Sequence, residues 1–136
     1  MKRIWMAVLS LLSFTASSAE VYQLDSGHTF PRFTISHMGF SVHAGQFNET
    51  RGSFTLDKKG KGSALKVSIK TASIDTGSEK LEEHLRSAEF FDAAKYPEMT
   101  YESTAVTWTS DSTAEVLGNL TLHGVTKPVE LKILSF

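Results

Sequence analysis

The sequence predicts an all-β protein, an antiparallel barrel-like sheet interrupted once by a helical segment. Three observations carry this. Apolar and polar residues alternate with a period of two through most of the chain, as in Leu65, Val67 and Ile69 against Lys66, Ser68 and Lys70. Turn-forming residues separate these stretches at short intervals, the spacing of hairpin-connected strands. A single stretch, 73–97, SIDTGSEKLEEHLRSAEFFDAAKYP, carries the helical period instead.

At the start of the chain, Lys2 and Arg3 precede an apolar run from Ile4 to Phe14, and small residues fill Ala16 to Ala19. This is the pattern of a secretory leader, expected to be cleaved after Ala19. The apolar run is well short of the roughly 20 residues that span a bilayer. The expected mature protein is therefore one exported domain, residues 20–136, with a bacterial periplasm as its natural compartment. Of the 136 residues, 14 are Lys or Arg and 15 are Asp or Glu, and losing Lys2 and Arg3 makes the balance more acidic. A nucleic-acid partner is excluded on that charge. With no cysteine in the chain, the domain must be held by its core and not by disulfides.

The first expected strand is Val21 to Asp25, turned by Ser26, Gly27 and His28 into Thr29 to Met38. There Phe33 and Ile35 alternate with Arg32, Thr34 and Ser36, and Pro31 places the strand's start at an edge or a bulge. A long extended stretch from Phe40 to Asp57 follows, with Phe47, Phe54 and Leu56 as apolar points and Gly45 and Gly52 as expected bulges. Lys58 to Gly62 form a turn, and Ala64 to Thr71 is the clearest strand. In the next segment Thr76 and Glu79 have the spacing of a capping box. Leu81, His84, Leu85 and Ala88 then form one face, with Glu82 and Arg86 paired on the wet side. Phe90, Phe91, Tyr96 and Pro97 end the helical piece, which is expected near 79–92. Two readings are compatible: a crossover helix on a β-core, or a lid whose inner residues Leu81, Leu85, Phe90 and Phe91 cover an apolar cavity. Strands Met99 to Thr109, Ala114 to His123 and Val125 to Leu134 complete about seven, the last with Val125, Val129, Leu131 and Ile133 inward.

The five histidines, His28, His37, His43, His84 and His123, lack metal-ligand spacing, and no cysteine completes a zinc set. No serine sits in a nucleophile elbow. Asp75, Glu82, Glu83, Glu89 and Asp92 have the distribution of a solvated helical face. An apolar interior without a polar catalytic cluster favours binding over catalysis, and neither a cofactor nor a metal is expected.

The motifs Tyr22-Gln23-Leu24-Asp25-Ser26-Gly27-His28, Phe33-Thr34-Ile35-Ser36-His37-Met38-Gly39-Phe40 and Gly45-Gln46-Phe47-Asn48 resemble the opening of the YceI-like, polyisoprenoid-binding family. Ala72-Ser73-Ile74-Asp75-Thr76-Gly77, Glu83-His84-Leu85-Arg86-Ser87, Phe90-Phe91-Asp92, Lys95-Tyr96-Pro97 and the run from Leu120 to Val129 continue that resemblance in the family's order. It implies a lipocalin-like antiparallel barrel, periplasmic, holding an isoprenoid lipid or isoprenoid quinone, with no catalytic residues. The implied lining is apolar: Phe33, Ile35, Met38, Phe40, Phe47, Phe54, Leu81, Leu85, Phe90, Phe91, Tyr101, Leu120 and Leu122. Asp25, His28, His37, Asp75, Arg86 and His123 are expected to fix turns and strand junctions. Family members usually continue past the Thr-Lys-Pro-Val strand, so the barrel is expected to lack a wall or to close through a second copy at an open edge. Two other functional readings stay open: an enzyme using histidines and carboxylates at the tube mouth, and an incomplete, non-binding member of the family.

Overall fold

The computed structural model describes residues 19–59 and 61–136. The expected leader, 1–19, lies outside the described residues except for Ala19. Among the described residues nine strands and one α-helix run in the order β1 (Glu20–Gln23), β2 (Arg32–His37), β3 (Ser41–Phe47), β4 (Thr50–Leu56), β5 (Ala64–Lys70), β6 (Ile74–Asp75), α1 (Glu79–Arg86), β7 (Glu98–Trp108), β8 (Ala114–Leu122) and β9 (Val125–Ile133). All pairings are antiparallel. A six-stranded sheet has the order β1-β4-β5-β7-β8-β9, and a three-stranded sheet has the order β2-β3-β6.

A closed barrel is not what forms. The long extended stretch expected from Phe40 to Asp57 is two strands in different sheets, parted at Asn48 and Glu49. At the break, the Asn48 N–H donates to Ser73 O at 3.0 Å, and the Lys70 N–H donates to Glu49 O at 3.0 Å. Asn48 is thus tied towards the small sheet and Glu49 towards the large one, and the chain changes sheets between them. Pro31 lies just ahead of β2, an edge strand, and its carbonyl accepts from the Phe47 N–H.

The expected bulges are placed elsewhere. Gly45 is regularly paired with Phe33, and a Cβ there would stand 2.5 Å from the Phe33 ring. The absent side chain lets that ring lie across the strand. Gly118 does the same for Tyr101, whose ring would meet a Cβ at 2.6 Å. The register shift falls between Ser103 and Ala105, where β7 pairs with β8.

Alternation decides the core. Met99 and Tyr101 on β7, and Ala114 and Val116 on β8, are buried while their neighbours Thr100, Glu102 and Glu115 are exposed. Burial pushes the Tyr101 hydroxyl above the ordinary phenol range. The hydroxyl is placed to donate to Val129 O at 3.0 Å or to Val116 O at 3.2 Å. On β9, Val125 and Leu131 are exposed, contrary to the inward placement expected of them. Val129 and Ile133, on the same face of the strand, are half-buried, so cover over this face of β9, the last strand of its sheet, is partial.

Phe47, Ile74, Leu85 and Met99 form one buried cluster, drawn from β3, β6, α1 and β7. Phe33, Ile69, Leu81, Phe91 and Leu122 pack against it. This cluster joins the two sheets and the helix. Replacing Phe47 by Ala should cost about 3–5 kcal/mol of unfolding free energy in urea melts. Phe40→Ala, at a side chain 94% exposed, should leave the midpoint within about 0.5 kcal/mol of the parent.

Candidate functional site: an apolar cavity

Three walls line an open-sided cavity of about 620 Å³. The first is the inner face of the β2–β3 hairpin, where Phe33, Ile35 and His37 on β2 and His43 on β3 share one side of the ribbon. The second is α1 and the turns after it, which supply Leu81, His84, Leu85, Glu89, Phe90 and Phe91. The third is the end of β8, with Leu122 and His123. Thr76 completes the lining between β6 and α1.

The helix reaches this position through a polar junction. Its N-cap is Ser78, not Thr76, and the carboxylate that reaches back is Glu82, not Glu79. Glu82 Oε1 accepts from the Thr76 N–H at 2.9 Å, and Glu82 Oε2 pairs with Arg86 at 3.3 Å. Arg86 also donates to Ala72 O at 3.0 Å and Ile74 O at 3.3 Å. The expected wet-side pair is thus turned inward against the small sheet, with the Glu82 side chain only 15% exposed. The helix stops at Arg86, short of the expected 92, because Ser87 adopts an extended backbone with ψ 167°. Turns then carry Phe90 and Phe91 onward, closed by Phe91 N–H to Leu85 O at 3.0 Å and Ala93 N–H to Arg86 O at 3.0 Å. Ala88, expected on the apolar face, lies beyond the helix and is exposed.

Of the implied lining residues, the structure brings Phe33, Ile35, Leu81, Leu85, Phe90, Phe91 and Leu122 to the cavity. Phe47 stands behind this wall in the core cluster, with ring centroids 5.7 Å from Phe33 and 5.8 Å from Phe91. Phe54 and Tyr101 are buried in the core of the large sheet, and Leu120 is half-buried on β8. Met38 and Phe40 project from the hairpin tip, 80% and 94% exposed. Both apolar lid residues and crossover residues of the helical segment therefore face the same space.

Polar groups at the cavity were not among those implied as lining. His37 and His43 meet edge to face at 5.1 Å between ring centroids. His84 Nε2 lies 3.1 Å from Glu89 Oε2, and its ring packs on Phe90 at 4.7 Å. His123 takes a positive φ of 51° in the β8–β9 turn, and its ring meets that of Tyr96 at a tilt of 57° with centroids 4.7 Å apart. Alternation on β2 and β3 was the available signal, because Phe33 and Ile35 put His37 on their side and the antiparallel register adds His43. Among the described residues, no group of three or more His, Cys, Asp or Glu is placed to hold a metal.

The remaining polar residues hold turns. Asp25 accepts from the Gly27 N–H at 2.9 Å and lies 2.8 Å from His28 Nδ1. The His28 ring, and after it the Gly27 N–H, hold the Asp25 carboxyl below the usual carboxylate range. Asp75 accepts from the Asn48 amide at 3.0 Å and from the Gly77 N–H at 3.0 Å, which likewise lower it. A second, polar cleft of about 290 Å³ near Asn48, Thr50 and Ser68 has its cations matched: Arg51 pairs with Glu98, and Lys70 with Glu49 at 2.8 Å. It lacks the apolar lining of the larger cavity.

Fold and cavity together define an antiparallel β-protein built around an apolar cavity. The chain belongs to the YceI-like domain family, whose model matches residues 22–135. A UPF0312 protein of Pseudomonas aeruginosa is 45% identical over 134 residues, covering 93% of this chain and 70% of the relative. A UPF0312 protein of Pseudomonas syringae pv. syringae is 44% identical over 126 residues, and there the chain spans only 66% of the relative's length. Among solved structures, the Campylobacter jejuni YCEI protein is 32% identical with a TM-score of 0.63, over 82% of this chain and 66% of that one. A polyisoprenoid binding domain from Saccharophagus degradans shares the fold at a TM-score of 0.67 and 19% identity, over 85% of this chain and 66% of that one.

The Asp75 contacts have a consequence for acid stability. A carboxyl lowered in the folded state contributes its stability in full above the unfolded value of about 3.9 and loses it as pH falls through the folded value. Melting temperatures followed from about pH 6 down to about pH 3 should fall less steeply for Asp75→Asn than for the parent. Parallel curves would show that the Asn48 and Gly77 contacts do not favour the ionised form.

Proposed function

We propose that this protein binds an isoprenoid lipid or isoprenoid quinone in the cavity between the β2–β3 hairpin and α1, and carries or stores it without chemical change. The observation that carries this reading is the cavity itself: 620 Å³, within the range of about 300–1,000 Å³ usual for small-molecule sites, with aromatic and aliphatic walls. Each methylene taken from water contributes about 0.8 kcal/mol, so a branched hydrocarbon chain needs no specific polar contact to be retained. Family membership supports the reading, as does the likeness in fold to a polyisoprenoid binding domain. No cofactor is required. Export to the periplasm, where such a carrier would work, rests on the leader pattern of residues 1–19. Pairing of two copies through the open side of β9, the last strand of its sheet, belongs to the same proposal as a route to further enclosure.

A second reading has a specific observation behind it. The His84–Glu89 pair at the cavity rim is the arrangement an enzyme acting on a similar lipid would use for proton transfer. Under that reading His84→Gln abolishes turnover and leaves lipid retention intact.

Native mass spectrometry of the protein from a periplasmic extract tests the main reading. A narrow, low charge-state series should carry an adduct that dissociates as a lipid, and Leu81→Glu, which sets a carboxylate on the cavity wall, should reduce the loaded fraction at least about tenfold. A broad, highly charged series without adduct would instead favour an incomplete, non-binding member of the family.

A further inference from the structure

Imidazoles gather at the cavity, and apolar retention alone makes no use of them. Four of the chain's five histidines, His37, His43, His84 and His123, line it, and they come from all three walls. Each of the four is exposed, so water reaches the rings in the open-sided cavity. Histidine is the side chain that ordinarily gains or loses charge between about pH 5 and pH 8. The lining is therefore a surface whose charge depends on acidity.

The four rings have different surroundings. His84 has Glu89 at 3.1 Å, a counter-charge for its protonated form. The His123 ring meets that of Tyr96, over which Lys95 Nζ lies at 5.3 Å. His37 and His43 have each other: their ring centroids are 5.1 Å apart, and the span 29–47 that carries them contains no acidic residue. Facing them are His84 and Glu89 from α1 and the turns after it, and His123 from the end of β8. The carboxylates of neighbouring elements are engaged elsewhere, Glu82 with Arg86 and the Thr76 N–H, and Asp75 with the Asn48 amide and the Gly77 N–H. Arg32 is opposite Gln46 at the hairpin's root. Among the described residues that line the cavity, Glu89 is the one carboxylate, and Lys and Arg are absent.

Water in an empty cavity solvates protonated rings. A hydrocarbon chain seated against them removes that water, and taking a charge out of water without a partner is costly. At the His37–His43 contact two like charges add repulsion, which an apolar filling screens less than water does. We propose that the cavity, read as a lipid site, releases its apolar ligand on acidification, with the His37–His43 pair as the element that gains charge; this regulation rests on that reading. Because the ligand favours neutral rings, each proton taken up on release weakens binding by up to about tenfold per pH unit.

Equilibrium dialysis of the full chain against radiolabelled farnesol tests it, since this isoprenoid alcohol is uncharged across the range and any change in affinity belongs to the protein. Kd should rise by at least about tenfold from about pH 7.5 to about pH 5, with far-UV circular dichroism unchanged. In the double variant His37→Gln, His43→Gln the ratio of the two Kd values should fall to within about twofold, and each single variant should lie between. His28→Gln, at an exposed ring paired with Asp25 outside the cavity lining, should keep the parent's ratio. Equal affinity of the parent at both pH values, an unaltered ratio in the double variant, or loss of the ratio in His28→Gln overturns the proposal and leaves the lipid reading standing. Loss of circular dichroism at the lower pH also overturns it, because release would then follow unfolding. Farnesol left unbound at the higher pH overturns the lipid reading itself, and the regulation with it.

Discussion

The structure depends on one burial event, the packing of Phe47 at the point where the chain leaves the small sheet for the large one. Phe47 is the last residue of β3, and Asn48 and Glu49 after it turn towards opposite sheets. A phenyl ring at this point contacts Phe33 on the same sheet, Phe91 after the helix and the buried cluster of Ile74, Leu85 and Met99. Burying a side chain of this size contributes about 1.5–3 kcal/mol, and here the same contact area fixes the relative placement of two sheets and a helix. The third strand of the small sheet, β6, is only two residues long, so that sheet is little more than a hairpin and depends on packing against the helix and the shared core.

The cavity follows from the same constraint. Phe47 packs on Phe33 of the hairpin and on Phe91 after the helix, and the cavity lies between residues of those same elements. Phe33, Phe91 and Leu85 stand at the boundary, packed on the core on one side and open to the cavity on the other. The polar junction of Arg86, Glu82 and Thr76 then holds the helix at that distance by bonding to the carbonyls of Ala72 and Ile74. Hydrophobic burial brings the elements together, and directional hydrogen bonds keep them from collapsing further.

What the sequence disclosed, and what it concealed, divides along the range of the interactions. Strands β5, β7, β8 and β9 were legible because alternation within one strand is local, as was the existence of the helix from the spacing of Leu81 and Leu85. The break at Asn48 was hidden, since nothing in Phe40 to Asp57 signals that successive strands join different sheets; only the pairings of Ser73 and Lys70 do so. Gly45 and Gly52 read as bulges because a glycine in a strand has several causes, and close approach of Phe33 to Gly45 is visible only in three dimensions. Glu82 was placed in solvent because helical spacing shows which residues share a face but not which face meets the sheet. Met38, Phe40, Phe54 and Tyr101 show the same limit: apolar character selects them, while position in the fold sends two to the tip and two to the core.

The distribution of ionisable groups bears on whether the cavity serves binding or reaction. Catalytic acids and bases are expected where burial and neighbouring charge displace their ionisation. In this fold the displaced groups include Asp25 and Asp75, held low by hydrogen bonds in turns, and Tyr101, raised by burial in the core. None of these lines the cavity. His84 and Glu89, which do, are 56% and 78% exposed, so solvent screens the pair. The displaced groups thus lie in turns and in the core, and the cavity presents hydrocarbon surface with imidazole rings among its lining. Such a lining offers a ligand shape and apolar area, the features on which the proposed retention of a lipid rests.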